Sequence, residues 1–380
     1  MNSPLKNEYL FQKKIWRIII KAADICGNKV IRPFISKKEY PAEYKKVLFS
    51  KIDHLGDLIL LLQILPQFHK NFPATKIHFL IGSWAKLLFD GNKFVEKIII
   101  YDDIVLDRDK KYHKKIIKWL VSIWKVIFLI RKEKYDLAVD FRAYFPNTIP
   151  LLFLAGVKYR AGFGTAGFGF LLQKQAKWTP NVHETQHYLE LLKAININIK
   201  PLNDEKYFDY LLKKRSKLVS SAKKGYGKYI VVHPCSADKN KNWQQNKWRE
   251  FAKAFPNRSI LFVGSKKEKI YIGEITQGLN NSINLAGETN ISELAGILKN
   301  ASLVAGVESF VCHLAAALGT PCIIIASGIA DISQWMPLKN SGIVNIAVKC
   351  SPCFSSSGCK DMLCMDIPAR TVIGKCKELL

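Results

Sequence analysis

Ala301-Ser302-Leu303-Val304-Ala305-Gly306-Val307-Glu308-Ser309-Phe310-Val311-Cys312-His313-Leu314-Ala315-Ala316-Ala317-Leu318-Gly319-Thr320-Pro321 is the stretch whose reading decides the fold. A short apolar run, 303–305, stops at Gly306. The polar pair Glu308 and Ser309 follows, and a helical pattern runs over 310–318, closed by Gly319 and Pro321. The pattern predicts strand, tight turn, helix. Such a turn aims free backbone N–H groups and the positive end of a helix dipole at one point, which suits a phosphate or another anion. Ser309 can cap the helix or donate to that anion. His313 lies one turn deeper on the same helix face. Read blandly, the same residues make an ordinary buried strand–helix unit.

Working outward, the same alternation fills the second half of the chain. Strands are expected at 229–233, 259–263, 283–285 and 322–326, and helices at 247–255, 266–278 and 291–299. The first half repeats it, with strands at 47–49, 77–81, 97–101 and 137–140 and helices at 58–68 and 114–132. Alternating strands and helices predict parallel sheets, so the fold class is α/β: two Rossmann-like, doubly wound domains in tandem. Ligands of such sheets sit at the carboxyl ends of the strands, and two such domains facing across a cleft would share a site. The expected boundaries are a basic N-terminal extension at 1–44, a first domain at 45–205, a linker at 206–228, a second domain at 229–365 and a C-terminal helix at 366–380.

Composition bounds the partners. A chain of 380 residues with 48% hydrophobic residues can bury two cores. No run of about 18 uncharged apolar residues occurs, so no membrane-spanning helix is expected. The opening Met1 to Glu8 lacks the apolar core of a secretory signal, so a cytoplasmic protein is expected. Lys and Arg number 58 against 31 Asp and Glu, a formal charge of +27. That field attracts nucleic acid, anionic lipid or phosphorylated small molecules without choosing among them. No nucleic-acid reader motif accompanies it, so nucleic acid is not expected as a partner. Two basic, apolar helices stand out: 9–23, where Lys13, Lys14, Arg17 and Lys21 alternate with Leu10, Phe11, Ile15, Trp16 and Ile18 to Ile20, and 114–132. Each suits an anionic membrane surface or the flank of the main body.

Of nine cysteines, Cys350, Cys353, Cys359 and Cys364 cluster with C-x2-C-x5-C-x4-C spacing. In a cytosolic chain such a group reads as a structural metal site or as a loop of reduced thiols. Gly56-Asp57 follows a strand and opens a helix. Asp57 there is either a first-turn carboxylate or a general base for an acceptor hydroxyl. Asp53 and His54 are placed to orient that acceptor or to serve as loop polar groups. After the first strand of the second domain, Ser236 and Lys241 offer a hydroxyl and a point charge to a pyrophosphate, or form a solvated basic loop. Glu268, after the next strand, can accept from ribose hydroxyls or act as an ordinary first-turn carboxylate.

Taken in order, these pieces resemble glycosyltransferase family 9, the bacterial lipopolysaccharide heptosyltransferases, over roughly residues 45–370. Lys51-Ile52-Asp53-His54-Leu55-Gly56-Asp57 is similar to the family's R-x-x-x-x-G-D start, with Lys51 for the usual Arg. Tyr135 to Asp140 resembles its YDLVID strand, and His183-Glu184 with Tyr188-Leu189 its H-E-x-x-x-Y-L segment. His233-Pro234 with Lys241-Asn242-Trp243 resembles HPG…K-x-W, and Asn284 to Gly287 is NLAG. Residues 306–321 resemble G-x-D-S-G-x-x-H-L-A-A-A-L-G-T-P, and Cys350-Ser351-Pro352-Cys353 is C-S-P-C.

The resemblance implies a GT-B fold and sugar transfer with inversion, with no cofactor or essential metal. The donor would be a nucleotide diphosphate sugar, ADP-heptose first. The acceptor would be a lipid-linked glycan, the lipopolysaccharide core, met by a peripheral protein on the inner face of an anionic inner membrane. It puts the catalytic base on Asp57 and acceptor contacts near Lys51, Asp53, His54 and Gly56. It puts donor binding on Ser236, Lys241, Glu268, Glu308, Ser309, Phe310 and His313. Two departures bear on the donor sugar: Glu308 replaces the family's Asp with one methylene more, and Phe310 replaces its Gly, where a side chain meets the backbone's approach to phosphate. The alternatives are a catalytically lapsed relative that still binds sugar nucleotide, a basic nucleic-acid-binding protein, and another GT-B enzyme such as a nucleotide-sugar epimerase.

Overall fold

The computed structural model describes residues 9–10, 14–35, 40–41, 43–103, 116–144, 148–200, 206–213, 225–337, 339–354 and 359–380. Lys13 and Phe11 of the first basic helix, and residues 214–224 of the expected 206–228 linker, lie outside them. The chain divides into two compact units, residues 1–203 and 204–380.

The first unit is built on a six-stranded sheet of order β3-β2-β1-β4-β5-β6. Its strands are β1 (Lys46–Ser50), β2 (Lys76–Ile81), β3 (Lys97–Ile100), β4 (Leu137–Asp140), β5 (Tyr159–Phe163) and β6 (Lys174–Ala176). Every neighbouring pair is parallel. Val47, Leu48 and Phe49 have no exposed surface, as expected of a strand covered on both faces. Phe49 meets Phe68, Phe79 and Phe141 edge-on, at 5.0, 5.7 and 5.2 Å between ring centres. The sheet is flanked by α1 (Lys14–Val30), α2 (Leu55–Leu62), α3 (Leu65–Asn71), α4 (Ile116–Glu133), α5 (Ile149–Leu154) and α6 (Glu184–Lys193).

The second unit repeats the plan. Its sheet runs β12-β11-β10-β7-β8-β9, from β7 (Tyr229–His233), β8 (Ser259–Phe262), β9 (Ser282–Asn284), β10 (Leu303–Val307), β11 (Cys322–Ile325) and β12 (Ser341–Val344). All pairs are again parallel. Counted from its own first strand, each sheet has the order 3-2-1-4-5-6, with a topological switch beside the first strand. Trp243 and Trp248 lie edge to face at 4.9 Å in the second core. The Trp243 indole N–H donates to the Ile367 carbonyl (2.9 Å), which ties in the C-terminal helix Ala369–Leu379.

Three sequence expectations are corrected. Gly306 does not end its strand. It lies inside β10, opposite His233 on one side and Ile324 on the other. A Cβ there would stand 2.9 Å from the His233 carbonyl, so glycine permits the close pairing. The single helix expected at 58–68 is two, because Pro66 starts α3. The helix expected at 266–278 begins as a 3-10 turn, Lys266–Glu268, and continues as Lys269–Thr276.

Helix α1 is oriented against the usual rule. Its inward face is Ile20, Asp24 and Gly27. The Asp24 carboxylate accepts from the Phe168 N–H (2.8 Å) and the Tyr9 hydroxyl (2.7 Å). Gly27 leaves room for the Phe170 ring. Ile15, Ile18, Ile19 and Ile25 point outward and are exposed.

Candidate active site

In the first unit the polar residues collect where β1 and β4 end, at the topological switch. The chain leaves β1 through Lys51-Ile52-Asp53-His54 and enters α2. Lys51 is fully enclosed. Its ammonium donates to the Phe141 carbonyl (3.0 Å) and lies 3.4 Å from Asp53 Oδ2 and 3.5 Å from Glu184 Oε1. It also stands 4.9 Å above the Tyr188 ring. Arg142, just beyond β4, approaches the same Asp53 oxygen at 3.5 Å. Burial alone would lower the Lys51 pKa; Asp53, Glu184 and Asp57 outweigh it and raise it. Burial alone would raise the Asp53 pKa; Arg142 and Lys51 outweigh it and hold the carboxyl well below the usual range.

Asp57 sits in the first turn of α2, half-buried, with the Tyr188 hydroxyl donating to its carbonyl (3.5 Å). Burial and the adjacent Asp53 charge push its carboxyl pKa well above the ordinary value, against the pull of Lys51. A carboxylate made basic in this way is suited to general-base work near neutral pH. His54 is exposed at the N-cap position and Gly56 is buried in the first turn.

The second unit gathers its polar residues at the matching switch, between β7 and β10. His233 ends β7, and its Nδ1 lies 2.9 Å from Ser309 Oγ. Burial drives the His233 pKa down to about 4, so the ring is neutral at physiological pH. Ser309 is the N-cap of the helix Phe310–Ala317, yet its side chain makes no capping bond. The first-turn N–H groups of that helix keep their capacity to bind an anion. Lys241 Nζ lies 2.7 Å from Glu308 Oε2, and the other Glu308 oxygen accepts from the Ser327 N–H (2.6 Å) and hydroxyl (3.0 Å). Phe310 and His313 are half-buried on the same helix.

The structure therefore groups Lys51, Asp53, His54, Gly56 and Asp57 in one unit, and His233, Lys241, Glu308, Ser309, Phe310 and His313 in the other. Lys51 has no exposed surface and Asp53 is buried and paired with it. The Ser236 N–H donates to Asn242 Oδ1 (2.7 Å), which shapes the loop before Lys241. Glu268 Oε2 accepts from the Ser265 N–H (2.6 Å) in a capping box. Among the described residues no three His, Cys, Asp or Glu side chains are grouped to hold a metal ion, and the Cys350, Cys353, Cys359 and Cys364 thiols form no such group. Cys359 Sγ instead accepts from the Met362 N–H, and Cys364 turns onto the apolar core. Sequence reasoning missed the roles of Arg142, Glu184, His187, His233 and Ser327. Glu184 and His233 stood in quoted motifs without a role; a cation directly after a buried strand was the only signal for Arg142.

Two Rossmann-like units with this strand order, one presenting a basic carboxylate and the other a helix N-terminus with a lysine, define the GT-B class. Residues 123–362, well over half of the chain, match the family described as Glycosyltransferase family 9 (heptosyltransferase), and the chain belongs to that family. It is 25% identical over 342 residues to lipopolysaccharide heptosyltransferase 3 of Escherichia coli, covering 86% of this chain and 96% of that one. The lipopolysaccharide core heptosyltransferase OpsX of Haemophilus influenzae is 21% identical, over 73% of this chain and 78% of its own. The fold is similar to that of the E. coli heptosyltransferase WaaC solved with ADP, at a TM-score of 0.71 and 16% identity over 88% of this chain and 100% of that one. It is equally similar to the family 9 glycosyltransferase of Veillonella parvula, at 0.70 and 17% over 90% and 99%.

Proposed function

We propose that this chain transfers a heptose, with inversion and without a metal, from ADP-heptose to the lipopolysaccharide core. The observation that carries the reading is the matched placement of chemistry: a basic carboxylate, Asp57, at one switch point and an anion-binding helix N-terminus with Lys241 at the other. The donor diphosphate binds the first-turn N–H groups of the Phe310–Ala317 helix and the Lys241 ammonium. Asp57 takes the proton of an acceptor hydroxyl. The hydroxyl oxygen forms its bond to the anomeric carbon as the bond from that carbon to the phosphate oxygen breaks, through an oxocarbenium-like state. The electron pair leaves with the diphosphate, whose charge the N–H groups and Lys241 stabilise. The names of the relatives and the ADP bound by WaaC support this choice of donor and acceptor.

The test is ADP release from purified protein given ADP-heptose and a heptose-deficient core acceptor, beside a thermal-shift screen of other sugar nucleotides. A specific donor raises the melting midpoint by mass action. Stabilisation by another sugar nucleotide, with none by ADP-heptose, would overturn the donor assignment.

The acceptor is lipid-linked, and the reading places the chain peripherally on the inner face of an anionic inner membrane. Among the described residues no helix is long and apolar enough to cross a membrane. The exposed stripe of α1, Ile15, Ile18, Ile19 and Ile25, is flanked by Lys14, Lys21 and Lys29. On α4, Ile117, Leu120, Val121, Trp124 and Phe128 are exposed at helical spacing beside Lys125. Apolar stripes edged with lysine, on a chain of net charge +27, match a surface of acyl chains under anionic headgroups.

A further inference from the structure

Behind Asp57 lies a second layer of buried charge that general-base chemistry does not by itself require. Glu184 is the first residue of α6 and has no exposed surface. One of its oxygens lies 3.5 Å from Lys51 Nζ, and the other lies 3.1 Å from His187 Nδ1. The opposite ring nitrogen, Nε2, lies 2.8 Å from the Thr179 carbonyl oxygen. A carbonyl can only accept, so Nε2 carries a hydrogen and donates. With Nε2 protonated, a neutral ring would turn a bare Nδ1 toward a bare carboxylate oxygen, two acceptors in contact. One more proton therefore resides on the Glu184–His187 pair; with the Lys51 ammonium 3.5 Å from Glu184 holding the carboxylate ionised, it resides on the ring. The His187 ring is buried and stacked on Trp178 at 5.1 Å, which fixes its plane.

We infer that Glu184, oriented by His187, is a positioning residue that draws the Lys51 ammonium toward itself and so keeps Asp57 a strong base. The inference rests on the reading of Asp57 as the base. Lys51 is shared among the Phe141 carbonyl, Asp53 and Glu184, and Asp53 is held besides by Arg142. The groups bearing on Asp57 are thus Asp53 and Lys51 from the β1–α2 loop, Glu184 and Tyr188 from α6, and Arg142 behind Asp53, with His54 exposed at the helix start. Two carboxylates around one ammonium leave little positive charge for Asp57. Neutralising Glu184 releases Lys51 to Asp53 and Asp57, and Asp57 becomes a weaker base.

The experiment is the pH profile of kcat/KM and kcat for Glu184→Gln, with Glu184→Asp as the charge-conserving control. The acid limb of Glu184→Gln should move about one unit or more to lower pH. Its plateau kcat should fall about 3- to 10-fold as the base weakens. The donor KM should hold, and Glu184→Asp should return the limb toward the wild-type position. A Glu184→Gln protein whose melting midpoint drops while its limb stays put would show a merely structural role and overturn the inference. If that variant does not fold, 15N spectra of the histidine rings in the intact wild-type protein decide it. Expected is a His187 ring protonated at both Nδ1 and Nε2; a bare Nδ1 accepting a hydrogen from Glu184, or a protonated Nδ1 with a bare Nε2, would overturn it. Asp57→Asn separates the two layers: full turnover in that variant would sink the base assignment itself. An inactive Asp57→Asn beside an unmoved Glu184→Gln limb would sink only the role of Glu184.

Discussion

Lys241 Nζ lies 2.7 Å from Glu308 Oε2, so the lysine proposed to hold the donor diphosphate is already engaged by a carboxylate. Glu308 is in turn held by the Ser327 N–H and hydroxyl. A donor phosphate must therefore compete with Glu308 for the ammonium. Lys241→Ala should raise the donor KM and the ADP dissociation constant roughly 10- to 100-fold, the range for a lost charge-assisted contact. Glu308→Gln should tighten ADP. Calorimetry with ADP checks both, and unchanged ADP affinity in Lys241→Ala would remove the lysine from the site.

Asp57→Asn should leave ADP affinity within about twofold and lower kcat by roughly 10²- to 10⁴-fold, the usual contribution of a general base. The wild-type profile should carry an acid limb well above the ordinary aspartate range, because burial and Asp53 raise the Asp57 pKa. A limb near pH 4 would contradict that environment.

Phe310 is the first residue of the helix whose N-terminus the proposed reading gives to the donor diphosphate. Phe310→Gly removes a half-buried ring and, if that helix holds the donor as proposed, should change donor KM or the ranking of sugar nucleotides by a few-fold or more. Equal kinetics across a panel of donors would show that the ring only packs.

Ile18→Glu and Trp124→Glu each place a charge on an exposed apolar stripe. Each should reduce sedimentation with phosphatidylglycerol vesicles several-fold at low salt, while leaving turnover of a soluble acceptor near wild type. Vesicle binding that ignores both changes would show that these stripes do not meet lipid.

Asp140, at the end of β4, is fully buried and accepts from the Thr148 hydroxyl (2.6 Å). Burial raises its pKa to about 6 from 3.8, against the Thr148 bond and the Arg142 charge. Below pH 4 both folded and unfolded chains hold the proton. Between pH 4 and 6 the unfolded chain releases it first, so this group's stabilisation is lost as pH rises through that window. Asp140→Asn removes the titration. Relative to wild type it should gain roughly 2–3 kcal/mol in going from pH 4 to pH 8, measured by denaturant unfolding at each pH.

Much of the architecture could be read from local pattern. The strand Tyr229–His233 and the helix Ile291–Lys299 came out residue for residue, because apolar runs and capping residues are local signals. Strand β5 was missed since Arg160 interrupts it, yet that guanidinium is buried and donates to the Leu171 carbonyl (2.8 Å). Gly306 read as a stop because its need for space comes from His233, on a strand distant in sequence. The candidate site divides in the same way. Asp57 was legible as a first-turn acid after a strand, and Lys241 as a cation in a loop after one. The company of Lys51 was not: Phe141 and Glu184 join it from β4 and α6 only once the sheet has formed.

Each half of the chain has its own sheet, its own strand reversal and its own set of polar groups at that reversal. On the proposed reading, donor choice and acceptor chemistry are encoded in separate, contiguous stretches of gene. A chimera joined near residue 203, with its second half taken from a relative of different sugar preference, should inherit that preference while retaining the Asp57 chemistry intact. New glycan linkages are then reachable by recombination, without rebuilding either catalytic surface residue by residue.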